Sequence, residues 1–303
     1  MGAVHHRRVD IRGMNIFYRE AGRLDAPVLL LPHGYPCSSF EFRNFIPRLA
    51  DRWRLLAPDF PGNGFSDTAP HFNHDFDGYA SFLADFADSL GAETFALWLH
   101  DFGSQIGLRL AIAAPHRIKA LIIQNGDIYA DTLGPAYDGL KEYWDHPTPE
   151  KKAKLGEAIS QDGFRQEFLN AVEGEIAERI SPDLWQLHWS LTDEHRRRIY
   201  LDVIAGLREN RDWFSRYQAY LREHRPPTLI LWGPKDGYMP AEAGRAYLRD
   251  LPDADLHMFE DGGHWLLETH LEEVLPPPRS ILDKHLVTAG EHPRLEVVAS
   301  HSH

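Results

Sequence analysis

Trp98-Leu-His-Asp-Phe-Gly-Ser104 is the stretch on which the reading of this chain turns. A short apolar run over residues 94–99 stops at His100-Asp101-Phe102-Gly103, and a helix-patterned run over 105–114 begins at once. The first run reads as a buried strand and the second as a helix packed on it. A side chain at the tip of so sharp a turn stands clear of the sheet, and the Phe102 amide at the helix start faces the same point. Gly103 lets another backbone come close. The residue placed there is a carboxylate, and that needs a chemical reason.

Working outward, strands and helices alternate. Residues 11–20 and 26–31 read as strands about a turn at Gly22-Arg23-Leu24-Asp25, 41–49 as a helix and 53–57 as a strand. A helix over 77–90, the strand 94–100, the helix 105–113 and a strand 118–124 follow. Such alternation means a mostly parallel sheet covered on both faces. It stops near Gly126, and residues 126–223 are mainly helical and polar, with aromatics at Tyr129, Tyr137, Tyr143, Trp144, Trp185, Trp189, Tyr200, Trp213, Tyr217 and Tyr220. After Pro226-Pro227 come a strand 228–232, a helix 242–251 and a strand 255–259. The simplest organisation is an α/β core of 1–125 and 226–286 and a helical cap of 126–225 above the carboxyl ends of the strands, where ligands bind in open α/β sheets. Some cap aromatics then roof a pocket, while most form the cap's own core. Pro276-Pro277-Pro278 is expected to interrupt the last helical segment, and 287–303 to be a loosely held tail.

Composition excludes more than it suggests. The chain has 303 residues, 43% of them apolar, enough for one large core. A net charge of -13 with no basic patch argues against nucleic acid and anionic membrane as partners. The single Cys37 leaves no internal disulfide and fits a reducing compartment. No signal-peptide pattern or run of about 18 apolar residues is present, so the expected location is the cytoplasm. The 18 histidines contain no H-E-x-x-H signature, and Gly62-Asn-Gly64 lacks the sequel of a phosphate loop. Neither metal nor cofactor is expected; the expected partners are a small apolar organic substrate and water. Oligomeric state is not legible.

Three loops at the carboxyl ends of expected strands carry the chemistry. His33-Gly34-Tyr35-Pro36 fixes a turn whose backbone amides can point at an anion. The second loop holds Asp101. The third, Gly233-Pro-Lys-Asp236, is followed 28 residues later by His264 in Asp261-Gly-Gly-His-Trp265. An acid after one strand and a histidine after the next can meet Asp101, giving the order nucleophile, acid, histidine. Asp127, also just after a strand, is an alternative acid, while Asp261 reads as shaping its loop.

On these residues, together with Ala57-Pro-Asp-Phe-Pro-Gly-Asn-Gly-Phe-Ser-Asp67, the chain resembles the α/β-hydrolase fold superfamily over residues 10–275. Within it, the resemblance is to the branch with an aspartate nucleophile, which contains epoxide hydrolases and haloalkane dehalogenases. It implies an eight-stranded, mostly parallel sheet with an inserted helical cap. One departure is Leu99, where the elbow normally has its first glycine.

An aspartate nucleophile attacks a saturated carbon and leaves an alkyl ester on the enzyme. His264 then activates water, Asp236 orients the imidazole, and the amides of Tyr35 and Phe102 hold the oxyanion. Haloalkane dehalogenases resemble this chain in the core but hold halide with a tryptophan directly after the nucleophile; here Phe102 offers no side-chain N–H. Fluoroacetate dehalogenases have an arginine there, also absent. Epoxide hydrolases are more similar in the His-Gly-aromatic-Pro turn and use cap tyrosines as proton donors. Their resemblance points to Tyr217 and Tyr143, with Tyr129, Tyr200 and Tyr220 as substitutes or pocket walls, and His33, Trp144, Trp189 and Trp265 complete the expected pocket. The plainer alternative for Tyr217 and Tyr143 is rings packed in the cap with hydroxyls at the surface. Epoxide opening is the first expectation and haloalkane hydrolysis the second. A ligand-binding protein or a cofactor-free oxygenase on the same fold is a third.

Overall fold

The computed structural model describes residues 2–286, so the tail expected over 287–303 lies outside the described residues. Its strands are β1 (His5–Ile11), β2 (Met14–Ala21), β3 (Val28–Leu30), β4 (Arg54–Pro58), β5 (Phe95–His100), β6 (Ile118–Gln124), β7 (Thr228–Trp232) and β8 (Asp255–Met258). They form one sheet in the order β1-β2-β4-β3-β5-β6-β7-β8. The β1–β2 and β2–β4 pairs are antiparallel, and every later pair is parallel.

β5 owes its central place to having apolar residues on both sides of its pleat. Leu97 and Leu99 pack into one layer with Leu30, Leu121, Ile123 and Ile230, under the helices Phe76–Ser89 and Phe102–Ala113. Ala96 and Trp98 face the other layer, with Phe42, Phe45, Leu49, Leu266 and Leu282. Period-two alternation sends successive side chains to opposite faces, and each fully buried leucine stabilises the fold by about 1.5–3 kcal/mol.

Several local expectations are corrected. The strand expected over 11–20 is β2, and an edge strand precedes it. Arg12 and Gly13, at φ of 53° and 79°, turn the hairpin. β1 went unread because its His-His-Arg-Arg stretch is exposed and polar, as suits an edge strand. The helix expected over 41–49 is a 3-10 turn, Ser39–Phe42, and a short helix, Ile46–Leu49. The proline run does interrupt the last helical segment: a short helix, Leu271–Val274, stops at Leu275, and Pro276 begins the next (Pro276–His285), whose first-turn positions need no amide hydrogen.

Between β6 and β7, the described elements from Ala130 to His224 are all helical. Strand order reverses about β3, with β4 on one side and β5 on the other, so the loops leaving β3 and β5 converge at a switch point of the sheet.

Candidate active site

Asp101 follows β5 directly and has φ 49° and ψ −130°, a conformation costing a non-glycine residue about 1–3 kcal/mol. Its neighbours make the turn possible. A Cβ on Gly103 would lie 2.3 Å from the Pro32 carbonyl oxygen, and one on Gly126 would run into the Ser104 hydroxyl at 1.8 Å. The departure at Leu99 is accommodated one layer away, since its methyl group occupies the space that a Cβ on Gly107 would need, at 2.3 Å. The room usually left in the strand is supplied here by the helix.

The loop after β3 brings the Tyr35 amide to Asp101, donating to Oδ1 at 2.6 Å. Phe102 is the first residue of the elbow helix, so its amide has no acceptor within that helix. The other carboxylate oxygen, Oδ2, lies 3.5 Å from His264 Nε2. On the far side of the imidazole, Nδ1 donates to Asp236 Oδ2 at 2.6 Å. Asp236 is fixed in turn. Its Oδ2 accepts from Asn125 Nδ2 at 2.9 Å, and its Oδ1 from the Tyr238 amide at 2.8 Å, the Met239 amide at 3.1 Å and Asn170 Nδ2 at 3.0 Å. Asn125 also brackets Gly233, accepting from its amide at 2.9 Å and donating to its carbonyl at 3.0 Å.

Charges tune this line of groups. Burial alone would raise Asp101, but the hydrogen bond and charge of His264 outweigh it and hold its carboxyl below the ordinary value. Burial likewise opposes ionisation of Asp236, and His264 again prevails. Burial would lower His264, yet the carboxylates of Asp236 and Asp101 raise it well above a free histidine. Two carboxylates thus flank His264 and favour its protonated form.

A cavity of about 210 Å³ opens over Asp101 and His264. From the core it is lined by Tyr35, Phe102, Tyr238 and Trp265, and from the helical segment by Tyr137, Leu140, Leu155, Glu167, Ile204 and Leu207 among others. A larger groove, about 330 Å³, lies at the opposite end of the sheet, where Thr228 and Asp255 begin β7 and β8, and it holds no such array.

The structure therefore brings together Asp101, His264, Asp236, Tyr35, Phe102 and Trp265. It does not bring the two expected proton donors. Tyr217 is fully buried away from the cavity, its hydroxyl donating to Asn210 Oδ1 at 2.7 Å and accepting from Arg109 Nε at 2.9 Å. Tyr143 packs part-buried against the core without lining the cavity. Trp144 sits behind Tyr137, and Trp189 packs edge-on to Phe164, so neither lines it. His33 is structural: its Nε2 accepts from the Phe60 amide at 3.1 Å, tying the turn after β3 to the turn after β4. Asp127 accepts from Gln105 Nε2 at 2.9 Å and does not reach His264, whose acid position Asp236 occupies.

Residues missed from the sequence are Glu167, Tyr238, Asn125 and Asn170, and Tyr137 stands there only as one of ten aromatics of the helical segment. Tyr238, two positions after Asp236, carried a signal of proximity; Glu167 carried none. Trp265 is the one indole lining the cavity, and its Nε1 is engaged by the Glu167 carbonyl at 3.1 Å. Among the described residues, no group of three or more His, Cys, Asp or Glu side chains is arranged to hold a metal ion, and no helix is long and apolar enough to cross a membrane.

Comparison with known proteins agrees with this architecture. The chain is 32% identical over 269 residues to the Saccharomyces cerevisiae protein described as uncharacterized hydrolase YNR064C, covering 86% of this chain and 90% of that one. It is 21% identical to epoxide hydrolase 1 of Caenorhabditis elegans over 293 residues, covering 92% of this chain and 70% of that protein. In three dimensions it resembles the ancestral haloalkane dehalogenase AncHLD2, with a TM-score of 0.76 at 24% identity over 92% of this chain and 98% of that one. That likeness speaks to the fold alone. The sequence model of the alpha/beta hydrolase fold matches residues 27–271. The chain belongs to the alpha/beta hydrolase fold family and is a hydrolase of that fold.

Proposed function

We propose that the protein opens an epoxide to a vicinal diol through an alkyl ester on Asp101, with the helical segment between β6 and β7 acting as its cap. The observation that carries this reading is a carboxylate at the strand-to-helix elbow that lines the cavity, with one oxygen on the Tyr35 amide and the other beside His264. Oδ2 attacks a ring carbon, the carbon–oxygen bond of the epoxide breaks, and the departing oxygen takes a proton. Of the tyrosines lining the cavity, Tyr137 and Tyr238 stand together, their rings 4.9 Å apart and edge-on. They replace Tyr217 and Tyr143 as the candidate donors.

Esterification also prepares the second half of the reaction. Asp101 becomes neutral, so His264 loses one of the two charges that raise it and falls toward the range of a base. It gives its proton up to solvent and, as a neutral imidazole, takes one from water. The hydroxide attacks Asp101 Cγ, the amides of Tyr35 and Phe102 hold the resulting oxyanion, and its collapse breaks the ester C–O bond, the leaving diol oxygen taking the proton back from His264. Haloalkane hydrolysis lacks its usual support, since the cavity's one indole N–H is already bonded within the protein.

The test is mass spectrometry of the His264→Gln protein after brief exposure to small epoxides and, separately, bromoalkanes. The expected result is a peptide containing Asp101 that gains the whole mass of the epoxide and accumulates, because ester hydrolysis has lost its base. An alkyl adduct with bromide release establishes the dehalogenase reading instead. Absence of any adduct overturns both and leaves ligand binding or oxygenase chemistry.

A further inference from the structure

We propose that Tyr238 delivers the proton to the departing epoxide oxygen, and that Glu167, hydrogen-bonded to it, decides by its own protonation whether that phenol is free to do so. The inference rests on the epoxide reading above and assigns a role to a carboxyl group which that reading leaves unused.

Glu167 lies on the helix Gln161–Leu169 and faces the cavity that holds Asp101 and His264. Its Oε1 is 2.9 Å from the Tyr238 hydroxyl oxygen. Both partners are anchored to the catalytic array. The Tyr238 amide donates to Asp236, and the Glu167 carbonyl accepts from the indole of Trp265, the residue after His264. The pair is therefore held in place rather than brought together by chance on a surface.

The chemistry of the pair depends on one proton. An ionised carboxylate is only an acceptor, so it captures the phenol hydrogen. A neutral carboxyl donates its own hydrogen to the phenol oxygen and leaves the phenol hydrogen free to turn toward substrate. Groups facing Glu167 place that change near neutrality. Burial raises its carboxyl to about 7; the Tyr238 hydrogen bond and His264 pull it down, while the Asp101 and Asp236 carboxylates push it up. Tyr35 and Tyr137 line the same cavity, and burial raises both phenols well above a free tyrosine.

Protons balance over the cycle. As Asp101 Oδ2 bonds to carbon and the epoxide carbon–oxygen bond breaks, the phenol proton moves to that oxygen and the Glu167 proton to the phenol. Ester hydrolysis regenerates Asp101 as a carboxylic acid. The proton it sheds to solvent equals the one Glu167 gave and regains.

The experiment follows the first half-reaction alone. In the His264→Gln background, which traps the ester and removes the histidine's own titration, adduct formation from an epoxide is timed by rapid quench and mass spectrometry between pH 5.5 and 9. The expected rate falls about tenfold per pH unit above a midpoint at or somewhat above roughly 7, because this background lacks the pull of His264 on Glu167. Adding Glu167→Gln should abolish that descending limb, because the amide donates to the phenol oxygen at every pH. Its rate at pH 6 should stay within about tenfold of the parent. Adding Tyr238→Phe should slow alkylation by about 10- to 100-fold at pH 6 and also flatten the profile. A Glu167→Gln protein that keeps the limb, or a Tyr238→Phe protein that keeps the rate, overturns the switch while leaving the epoxide reading intact. No adduct in the His264→Gln parent overturns the epoxide reading and this inference with it.

Discussion

Gly34→Ala adds one carbon against the side chain of Asp101 itself. A Cβ at Gly34 would lie 2.5 Å from Asp101 Cβ and 2.7 Å from its Oδ1. Carbon atoms pack at about 3.5–4.0 Å, so the loop after β3 must retreat by roughly 1 Å. The Tyr35 amide rides on that loop, and its 2.6 Å bond to Oδ1 would stretch by the same amount, to the limit of a hydrogen bond. Loss of one oxyanion donor costs about 10²–10³ in rate, or about 2.7–4 kcal/mol of barrier. The overpacking itself destabilises a folded chain by about 1–3 kcal/mol. The assay pairs steady-state epoxide hydrolysis with urea unfolding, since the reasoning demands a loss of activity larger than unfolding explains. Gly206→Ala, where an added Cβ meets nothing within 4 Å, serves as control and should keep full activity. A Gly34→Ala enzyme within threefold of wild-type kcat would refute the oxyanion role of this loop.

Two further outcomes follow from buried groups. Tyr217→Phe should alkylate at a rate within about twofold of wild type in the quench assay, yet lose about 1–3 kcal/mol of unfolding free energy by leaving the buried Arg109 Nε without its acceptor; a slowed alkylation would return this phenol to the chemistry. His188 is buried between Ser38 and the Leu184 carbonyl, and burial lowers it to about 4. The unfolded chain therefore binds its proton first as pH falls, so stability is complete above about 6.5 and declines toward 4. His188→Gln should reduce that acid loss by about 2–3 kcal/mol, read from urea midpoints at pH 7 and 4.5.

What was legible in the sequence followed from local rules. The alternation of strands and helices, the elbow at Asp101 and the loops of Asp236 and His264 are set by patterns a few residues long, and the sheet brings them within reach. The helical segment was legible only as helical. Its helices pack by contacts distant in sequence, so a tyrosine's position along the chain says little about where its hydroxyl points. Tyr217 turns inward to join Arg109, in the elbow helix, and Asn210, while Tyr137, one aromatic among ten, lines the cavity. The hairpin of β1 was hidden for a different reason: an edge strand exposed on most of its length carries little apolar signal.

Asn170 divides the walls of the cavity into two kinds. Its amide holds Asp236 Oδ1, and its side-chain oxygen accepts from the Gly237 amide at 3.3 Å, so the end of the helix Gln161–Leu169 is part of the support of the triad acid. The walls formed by Leu140, Leu155, Ile204 and Leu207 make no hydrogen bond to Asp236, whose partners are Asn125, Asn170, Tyr238, Met239 and His264. A lineage can therefore drift in substrate size through those four positions without touching its chemistry, whereas a change in the helix bearing Asn170 must be answered by a change in the loop bearing Asp236. Across homologues, the first set should vary freely and the second should vary in pairs.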